Sequence, residues 1–376
     1  MSDITFKMTV ATNVGLVRTN NEDNFIVNPD LNAPDKWIVP ANADDVFALG
    51  KGGCVMVVAD GMGGMNAGEV ASEIAVNYVK QAFSKVSDFS KISDCSNHIE
   101  DFLKKIIVEA DAAIKKKVKE DPSTSGMGTT IVVAWIIGEV VHVAWCGDSR
   151  AYHFNRQSGL SRLSKDHSYV QELVDAGKLD PELAFDHPNS NIITRSLGDS
   201  PVKAQPDYVC KRLSAGDYVI LCTDGLCGLV RDERILEIMM QERSSLAEYK
   251  TALFDASFEE GAYDNVTIAL FECMSVKEEN IASTVAPGAP KSKKKKKSGS
   301  LGKKILVFVL LMIALAGIFM VSWHFDIITM DDQKNIHINI QHLDSLLRRG
   351  VSQDIEVLED AADTAAVINN PDTTIQ

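Results

Sequence analysis

The stretch Thr130–Phe154, which reads TIVVAWIIGEVVHVAWCGDSRAYHF, decides the fold class. It holds three short apolar runs, at 130–137, 140–145 and 150–154, that only turn residues separate. Short β-branched runs of this kind predict strands. Strands that follow one another without an intervening helix favour an antiparallel sheet over a doubly wound parallel one.

Helical patterns flank this stretch on its N-terminal side. In 67–83 and in 99–118 the apolar residues recur every three or four positions, which predicts two amphipathic helices. The run DYVILC at 217–222 predicts a further strand. The sequence therefore predicts an α+β fold in which helices pack outside antiparallel sheet.

Composition excludes several function classes. The chain has 376 residues and a formal net charge of −14, which argues against a nucleic-acid partner held through phosphates. Its seven cysteines include no CxxC pair, which indicates reduced thiols in a cytosolic domain. The amino terminus, MSDITFKMTV, has neither a basic nor an apolar signal region, so no cleaved secretion signal is expected.

Acidic residues interrupt the predicted strands at their ends. The run Val55–Ala59 leads into Asp60-Gly61, and the run ending at Cys222 leads into Thr223-Asp224. Two further aspartates lie beside strands, and two more acids lie in the segment RTNNED: Asp148, Asp264, Glu22 and Asp23. Each Asp-Gly alone fits a turn or a helix cap. Six acids at strand ends are harder to explain as turns.

Carboxylates that converge repel one another unless cations neutralise them. An oxygen-only ligand set favours Mg²⁺ or Mn²⁺, and zinc is disfavoured because no HExxH motif or paired cysteines occur. Asp60 can bridge two ions while the carbonyl of Gly61 adds a ligand. Two ions about 3.5–4 Å apart can activate a water for attack on phosphorus. Arg18, four residues before Glu22, suits a phosphate oxyanion, and a surface salt bridge is the alternative.

The chain resembles the metal-dependent type-2C (PPM) serine/threonine protein phosphatases over residues 5–274. The resemblance rests on ordered motifs, among them RTNNED (18–23), VADGMGG (58–64), CGDSRAY (146–152), LCTDGL (221–226) and GAYDNVT (261–267). It implies a four-layer α-β-β-α sandwich of two antiparallel sheets with a binuclear metal centre at one edge. It also implies that the substrates are proteins phosphorylated on serine or threonine, the products of a Ser/Thr kinase.

The resemblance also implies roles for individual residues. Asp60 would bridge the two metals and Gly61 would bind one through its carbonyl. The other metal ligands would be Asp224 and Asp264, with Glu22 and Asp23 acting directly or through waters. Asp148, with Asp224, would match a weaker third metal site, and Arg18 would hold the phosphate.

Two features resemble the bacterial branch of that family. Met62 stands where many eukaryotic members have a histidine that is thought to protonate the leaving group, so no general acid is assigned. The segment 168–198 resembles the flap of the bacterial branch. The alternative is a helical surface segment that does not act as a flap. The insertion at 28–52 is longer than the pattern requires.

Other functions fit the sequence less well than hydrolysis by metal-activated water. A cysteine-based phosphatase requires a C-x5-R loop, and none occurs here. The remaining alternative is a catalytically silent pseudophosphatase that binds phosphoproteins as a membrane-bound sensor or scaffold. Six converging carboxylates are costly without metal, which argues against it.

The C-terminal third predicts a single membrane span. Residues 305–323 are uncharged and without proline, which at helical rise covers roughly 28 Å. Lysines are concentrated just before this stretch, at Lys291–Lys304, whereas the tail that follows it is acidic. The positive-inside rule then places the catalytic part in the cytoplasm and the tail outside, and the lysines are expected to meet an anionic membrane surface. A solvated linker without lipid contact is the alternative.

The expected organisation has four parts. These are a phosphatase domain at 1–275, a flexible lysine-rich linker at 276–304, the transmembrane helix at 305–323 and an acidic extracytoplasmic tail at 324–376. Within the tail, apolar residues between Ile336 and Leu347 indicate a short helix.

Overall fold

The computed structural model describes residues 4–33, 37, 39–63, 67–93, 96–275, 328–330 and 336–338. The strands are β1 (Thr5–Asn13), β2 (Asn24–Asn28), β3 (Phe47–Ala48), β4 (Cys54–Ala59), β5 (Gly61–Met62), β6 (Gly128–Thr129), β7 (Ile131–Ile137), β8 (Val140–Cys146), β9 (Arg150–Asn155), β10 (Gly159–Arg162), β11 (Asp207–Arg212), β12 (Tyr218–Cys222), β13 (Val266–Ser275), β14 (Ile328–Met330) and β15 (Ile336–Ile338). The helices are α1 (Gly68–Ser84), α2 (Ser90–Ser93), α3 (Ser96–Glu120), α4 (Tyr169–Asp175), α5 (Asp224–Cys227), α6 (Asp232–Met240) and α7 (Leu246–Glu259).

Two antiparallel sheets form the body of the protein, as the sequence predicts. The first sheet has the strand order β10-β9-β12-β13-β1-β3, and the second has the order β11-β8-β7-β4-β2. The two helices predicted from apolar spacing are α1 and α3, and their observed bounds lie close to the predicted ones. The fold is therefore α+β with two antiparallel sheets.

Three apolar cores set the order of the layers. The central core joins the two sheets, because it combines Phe6 and Met8 of β1 with Met56 and Val58 of β4. A second core packs α1 and α3 on the outer face of the second sheet, and a third packs α6 and α7 on the outer face of the first. Helices thus cover both sheets from outside, which matches the predicted α-β-β-α order.

The stretch that predicts three successive strands divides between the sheets. β7 and β8 pair with each other in the second sheet, whereas β9 pairs with β12 in the first. The turn at 147–149 is therefore the point where the chain crosses from one sheet to the other. Asp148 lies at this crossing.

The insertion at 28–52 adds a short edge strand to the first sheet. It supplies β3, which pairs with β1. Asp44 accepts hydrogen bonds from Lys7 Nζ and from the backbone N–H of Leu246, both at 3.1 Å. The insertion therefore covers the edge of β1 at Thr5 and Phe6 and is fixed to β1 and α7 through Asp44.

The chain falls into two units, Met1–Ala282 and Ser283–Gln376. In the second unit the structure describes β14 and β15, which pair antiparallel. The helix predicted from Ile336 is therefore wrong at 336–338, where apolar residues alternate with a period of two, as they do in strands.

The four-part division of the chain remains a prediction. The predicted linker and transmembrane helix, and most of the tail, lie outside the described residues. Among the helices that the structure describes, none has both the length and the apolar character that crossing a bilayer requires.

Candidate active site

The predicted acids meet at one end of the two sheets because each follows or precedes a buried strand. Asp60 comes directly after β4, and Asp224 begins α5 two residues after β12 ends. Asp148 lies at the crossing between the sheets, and Asp264 lies two residues before β13. Residues far apart in sequence therefore share one location.

Asp60 lies at the centre of this group. Burial raises the pKa of Asp60 well above its ordinary value, and the neighbouring charges of Asp224, Asp23 and Asp148 raise it further. Burial and the charge of Asp264 raise the pKa of Asp224 as well. Like charges held together in this way repel one another, and a bound cation would relieve that repulsion.

Asp23 and Asp148 are also buried with raised pKa values. Burial raises the pKa of Asp23 to about 7, although hydrogen bonds from Thr267 and Thr223 oppose the shift. Their hydroxyls donate to Asp23 Oδ2 at 2.6 and 2.8 Å, so this carboxylate is fixed in orientation. Burial, then the charge of Asp224, raises the pKa of Asp148 to about 8.

Glu22 and Gly61 are joined through their backbones. The N–H of Gly61 donates to the carbonyl of Glu22 at 3.2 Å. A Cβ at Gly61 would lie 2.3 Å from the carbonyl oxygen of Gly68 and 2.5 Å from that of Glu22, so only glycine fits. Burial raises the pKa of the Glu22 side chain, and the positive charge of Arg18 partly offsets this.

Arg18 forms the salt bridge that was the alternative to a phosphate ligand. Its Nη2 donates to Asp264 Oδ2 at 2.7 Å, yet its side chain is 52% exposed. The salt bridge and the predicted phosphate contact are compatible, because a guanidinium has five N–H donors. Asp264 therefore orients the guanidinium of Arg18, while about half of the Arg18 side chain stays exposed to solvent.

Sequence reasoning missed Asn265, which connects three parts of the site. Its Oδ1 accepts from the N–H of Glu22 at 2.7 Å, and its Nδ2 donates to the carbonyls of Val14 and Asn20, both at 2.9 Å. The sequence signal that could have identified Asn265 is its position beside Asp264 inside the motif GAYDNVT. Thr223 and Thr267, the partners of Asp23, likewise lie in motifs quoted for their acids.

Other missed residues position Asp148: Gly147 and Arg150 lie inside the quoted motif CGDSRAY, whereas no sequence signal pointed to Asp166 and His167. Gly147 is bonded to His167 twice: its N–H donates to Nδ1 at 3.1 Å, and its carbonyl accepts from the His167 N–H at 3.0 Å. Arg150 donates to Asp166 from Nη2 at 2.7 Å and to the carbonyl of Cys227 from Nη1 at 3.1 Å. Arg150 thus links the loop of Asp148 with the helix that begins at Asp224.

A cavity of about 770 Å³ opens from this group of acids. Its acidic end is lined by Asp148, Asp224 and Asp264, with Arg18 beside them. Eleven further residues of its lining come from the segment 168–191. This size lies within the range of about 300–1,000 Å³ that is usual for ligand pockets, and it exceeds what a phosphate alone requires.

The residues fit a hard divalent cation. Three buried carboxylate oxygens accept no hydrogen bond among the described residues: Asp23 Oδ1, Asp148 Oδ1 and Asp224 Oδ1. Buried polar atoms normally have partners, so these oxygens are suited to bind a cation. Within the described ranges, no group of three or more His, Cys, Asp or Glu side chains is placed so that it could hold a metal ion by itself. Further ligands, such as the backbone carbonyl of Gly61 and waters, would therefore be required.

Comparison with known proteins gives consistent results. The family model described as protein phosphatase 2C matches residues 41–265. The serine/threonine phosphatase stp of Listeria monocytogenes is 34% identical over 218 residues, which are 58% of this chain and 84% of that protein. The protein phosphatase PhpP of Streptococcus pneumoniae is 33% identical over 266 residues, covering 70% of this chain and 96% of that protein.

Solved structures show the same similarity. The catalytic domain of the serine threonine protein phosphatase PstP, in complex with 2 manganese ions, superimposes with a TM-score of 0.56 at 28% identity. The match covers 72% of this chain and all of that domain.

Proposed function

We propose that this chain hydrolyses phosphoserine and phosphothreonine in cytoplasmic proteins with Mg²⁺ or Mn²⁺. The premise is that the chain belongs to the protein phosphatase 2C family, which makes it a serine/threonine protein phosphatase. The observation that carries the proposal is the convergence of buried carboxylates on Asp60 next to Arg18. The substrates are expected to be products of a serine/threonine kinase.

The proposed ligands are the acids of this group. Asp60 would lie between two ions, with Gly61, Asp224 and Asp264 as further ligands and with Glu22 and Asp23 acting directly or through waters. Asp148 and Asp224 would hold a third ion more weakly. When bound, such ions supply an acidified water for attack on phosphorus and neutralise the phosphoryl oxygens.

The chain's own residues bind and orient the phosphate. Arg18 offers guanidinium donors that its salt bridge with Asp264 leaves free, so it would hold the phosphoryl oxygens at the mouth of the cavity. Asn265 ties the segment that carries Arg18 and Glu22 to the strand end that carries Asp264. These hydrogen bonds hold Arg18, and with it the bound phosphate, in a fixed position relative to the acids.

We also propose a membrane location, which is supported by the sequence alone. The uncharged stretch at 305–323 would span the bilayer once, with the phosphatase domain in the cytoplasm, Lys291–Lys304 against anionic lipid and the acidic tail outside. Protease added to intact cells should then remove the tail and spare the domain. The reverse pattern would contradict this topology.

Activity is tested with the purified full chain, Mn²⁺ and p-nitrophenyl phosphate, followed by phosphoserine and phosphothreonine peptides. We expect turnover that EDTA abolishes and that Asp60→Asn and Asp224→Asn remove. Asp101→Asn is the matched control, because Asp101 is exposed on α3 and should retain full activity. Turnover that resists EDTA would refute the metal mechanism, and peptide binding without turnover would favour the pseudophosphatase alternative.

A further inference from the structure

A buried carboxylate that does not line the cavity lies on α3. Asp111 is 2% exposed, and its two oxygens accept three hydrogen bonds. The donors are the N–H of Gly198 at 2.9 Å, the N–H of Ala204 at 3.1 Å and Lys115 Nζ at 2.8 Å. Lys115 Nζ also donates to the carbonyl of Val202 at 2.6 Å. Asp111 and Lys115 therefore fasten the segment 198–204 to the helix.

A glycine allows this segment to approach α3 closely. Gly198 has a φ of +92°, and a Cβ there would lie 2.4 Å from Cγ2 of Ile114. A side chain at this position would push the backbone away from α3 and its N–H away from Asp111. Burying a carboxylate is costly, and apolar side chains of similar volume often pack at lower cost than a buried ion pair. This cost favours a role for Asp111 beyond packing.

The fastened segment continues toward the backbone of the proposed metal ligands. Leu197, the residue before it, exchanges two hydrogen bonds with the backbone of Thr129 in β6, both at 2.9 Å. Thr129 Oγ1 donates to the carbonyl of Asp60 at 2.8 Å, and Thr129 pairs with Gly61 across β5 and β6. A continuous series of hydrogen bonds thus connects Asp111 with the backbone of Asp60 and Gly61.

The position of this backbone determines where two of the proposed ligands lie. Gly61 would bind an ion through its carbonyl, which no side-chain rotation can adjust, and Asp60 would lie between the two ions. We propose that Asp111 is a positioning residue for the metal centre, acting through the segment 197–204 and β6 on Asp60 and Gly61. The inference rests on the proposed function, because the metal centre belongs to that function.

The test measures Mn²⁺ binding to the full chain by isothermal titration calorimetry, at a temperature at which circular dichroism shows every variant to be folded. Asp111→Asn keeps the size of the side chain but replaces one acceptor oxygen with an NH₂ group, so it cannot satisfy all three donors. Groups that orient metal ligands change metal affinity by about 10–100-fold when they are removed. The variant should therefore bind Mn²⁺ about tenfold more weakly. Its KM for p-nitrophenyl phosphate at saturating Mn²⁺ should stay near the wild-type value, because the phosphate contact of Arg18 is untouched.

Two controls on α3 separate positioning from stability. Glu100 and Lys104 form a half-buried ion pair with the same helical spacing as Asp111 and Lys115. Glu100→Gln should therefore leave Mn²⁺ affinity unchanged. Leu103 is 1% exposed, so Leu103→Ala leaves a cavity beside the helix. It should lower Tm at least as much as Asp111→Asn without weakening Mn²⁺ binding, whereas a merely structural role of Asp111 would make the two variants alike.

A double-mutant cycle with Thr129→Val tests the path. Thr129→Val keeps the shape of the side chain and removes the hydrogen bond to the carbonyl of Asp60. If both residues act through β6, the double variant should lose less Mn²⁺ affinity than the product of the two single losses. Single losses that multiply would show that Asp111 and Thr129 act independently, which would overturn the path.

The outcomes distinguish this inference from the function on which it rests. Unchanged Mn²⁺ affinity in Asp111→Asn, or an equal loss of affinity in Leu103→Ala, would overturn the positioning role while turnover by the wild-type chain upholds the phosphatase. If the wild-type chain binds Mn²⁺ but hydrolyses neither p-nitrophenyl phosphate nor phosphopeptides, the proposed function fails, and the comparison of Mn²⁺ affinities still decides the positioning role. A wild-type chain that binds no Mn²⁺ would overturn both.

Discussion

Replacing Asn265 with alanine should destabilise the whole site. Asn265 is 4% exposed, and its amide makes three hydrogen bonds to backbone groups of 2.7, 2.9 and 2.9 Å. Each such bond contributes about 1 kcal/mol net. The loss of all three should lower the free energy of unfolding by about 3 kcal/mol, which corresponds to roughly 6–12 °C in Tm for a domain of this size.

The assay is thermal unfolding of the full chain, followed by circular dichroism. Asn265→Asp tests the cause: it keeps the acceptor for Glu22 N–H but presents a carboxylate to the two carbonyls that the amide now serves, so it should destabilise at least as much. Asn77→Ala on the exposed side of α1 is the control and should be neutral or slightly stabilising. A Tm loss below about 2 °C in Asn265→Ala would refute the reasoning.

Three further predictions concern the phosphate contact, the backbone and the carboxylates. Arg18→Ala should weaken inhibition by free phosphate about tenfold, the loss of one charge-assisted contact, with unchanged metal content; unchanged inhibition would count against the phosphate role. Gly61→Ala should lose activity and about 1–3 kcal/mol of stability, because its Cβ would overlap two carbonyl oxygens; an active, stable variant would show that the contact relaxes. The third prediction follows from the pKa values of Asp23, raised to about 7, and Asp148, raised to about 8. Both carboxyl groups titrate near 4 in the unfolded chain. Between pH 4 and the raised pKa values, the folded protein in EDTA therefore binds more protons than the unfolded chain, so its stability should fall from pH 5 to pH 8. Mn²⁺ should abolish that fall in Tm, and a Tm in EDTA that rises with pH would contradict the assignment.

Much of the fold could be predicted from local patterns. The spacing of apolar residues in 67–83 and 99–118 fixes which helix faces are buried, and α1 and α3 follow it closely. The acids could be predicted for a similar reason: a carboxylate directly after a buried strand, as in Asp60, is expensive without a partner. The helix expected from Ile336 was wrong at 336–338 because three alternating residues were too few to separate the two periods.

The sequence could not predict contacts between distant segments. The assignment of β9 to a different sheet from β8 depends on its pairing with β12, which lies far along the chain. His167 and Asp166 position the loop of Asp148 and its neighbour Arg150 through bonds that no spacing rule anticipates. Asn265 is similar, since all three of its partners are more than 240 residues away in sequence.

The central claim is that these acids, brought from both sheets to one buried place, bind two divalent ions next to each other. Electron paramagnetic resonance of the full chain loaded with Mn²⁺ tests this directly, combined with a count of bound ions. The account predicts two strongly held ions per chain with the signal of a spin-coupled pair about 3.5–4 Å apart, and loss of that signal in Asp60→Asn. The spectrum of isolated ions in the wild-type chain, or a coupled pair that survives Asp60→Asn, would contradict it.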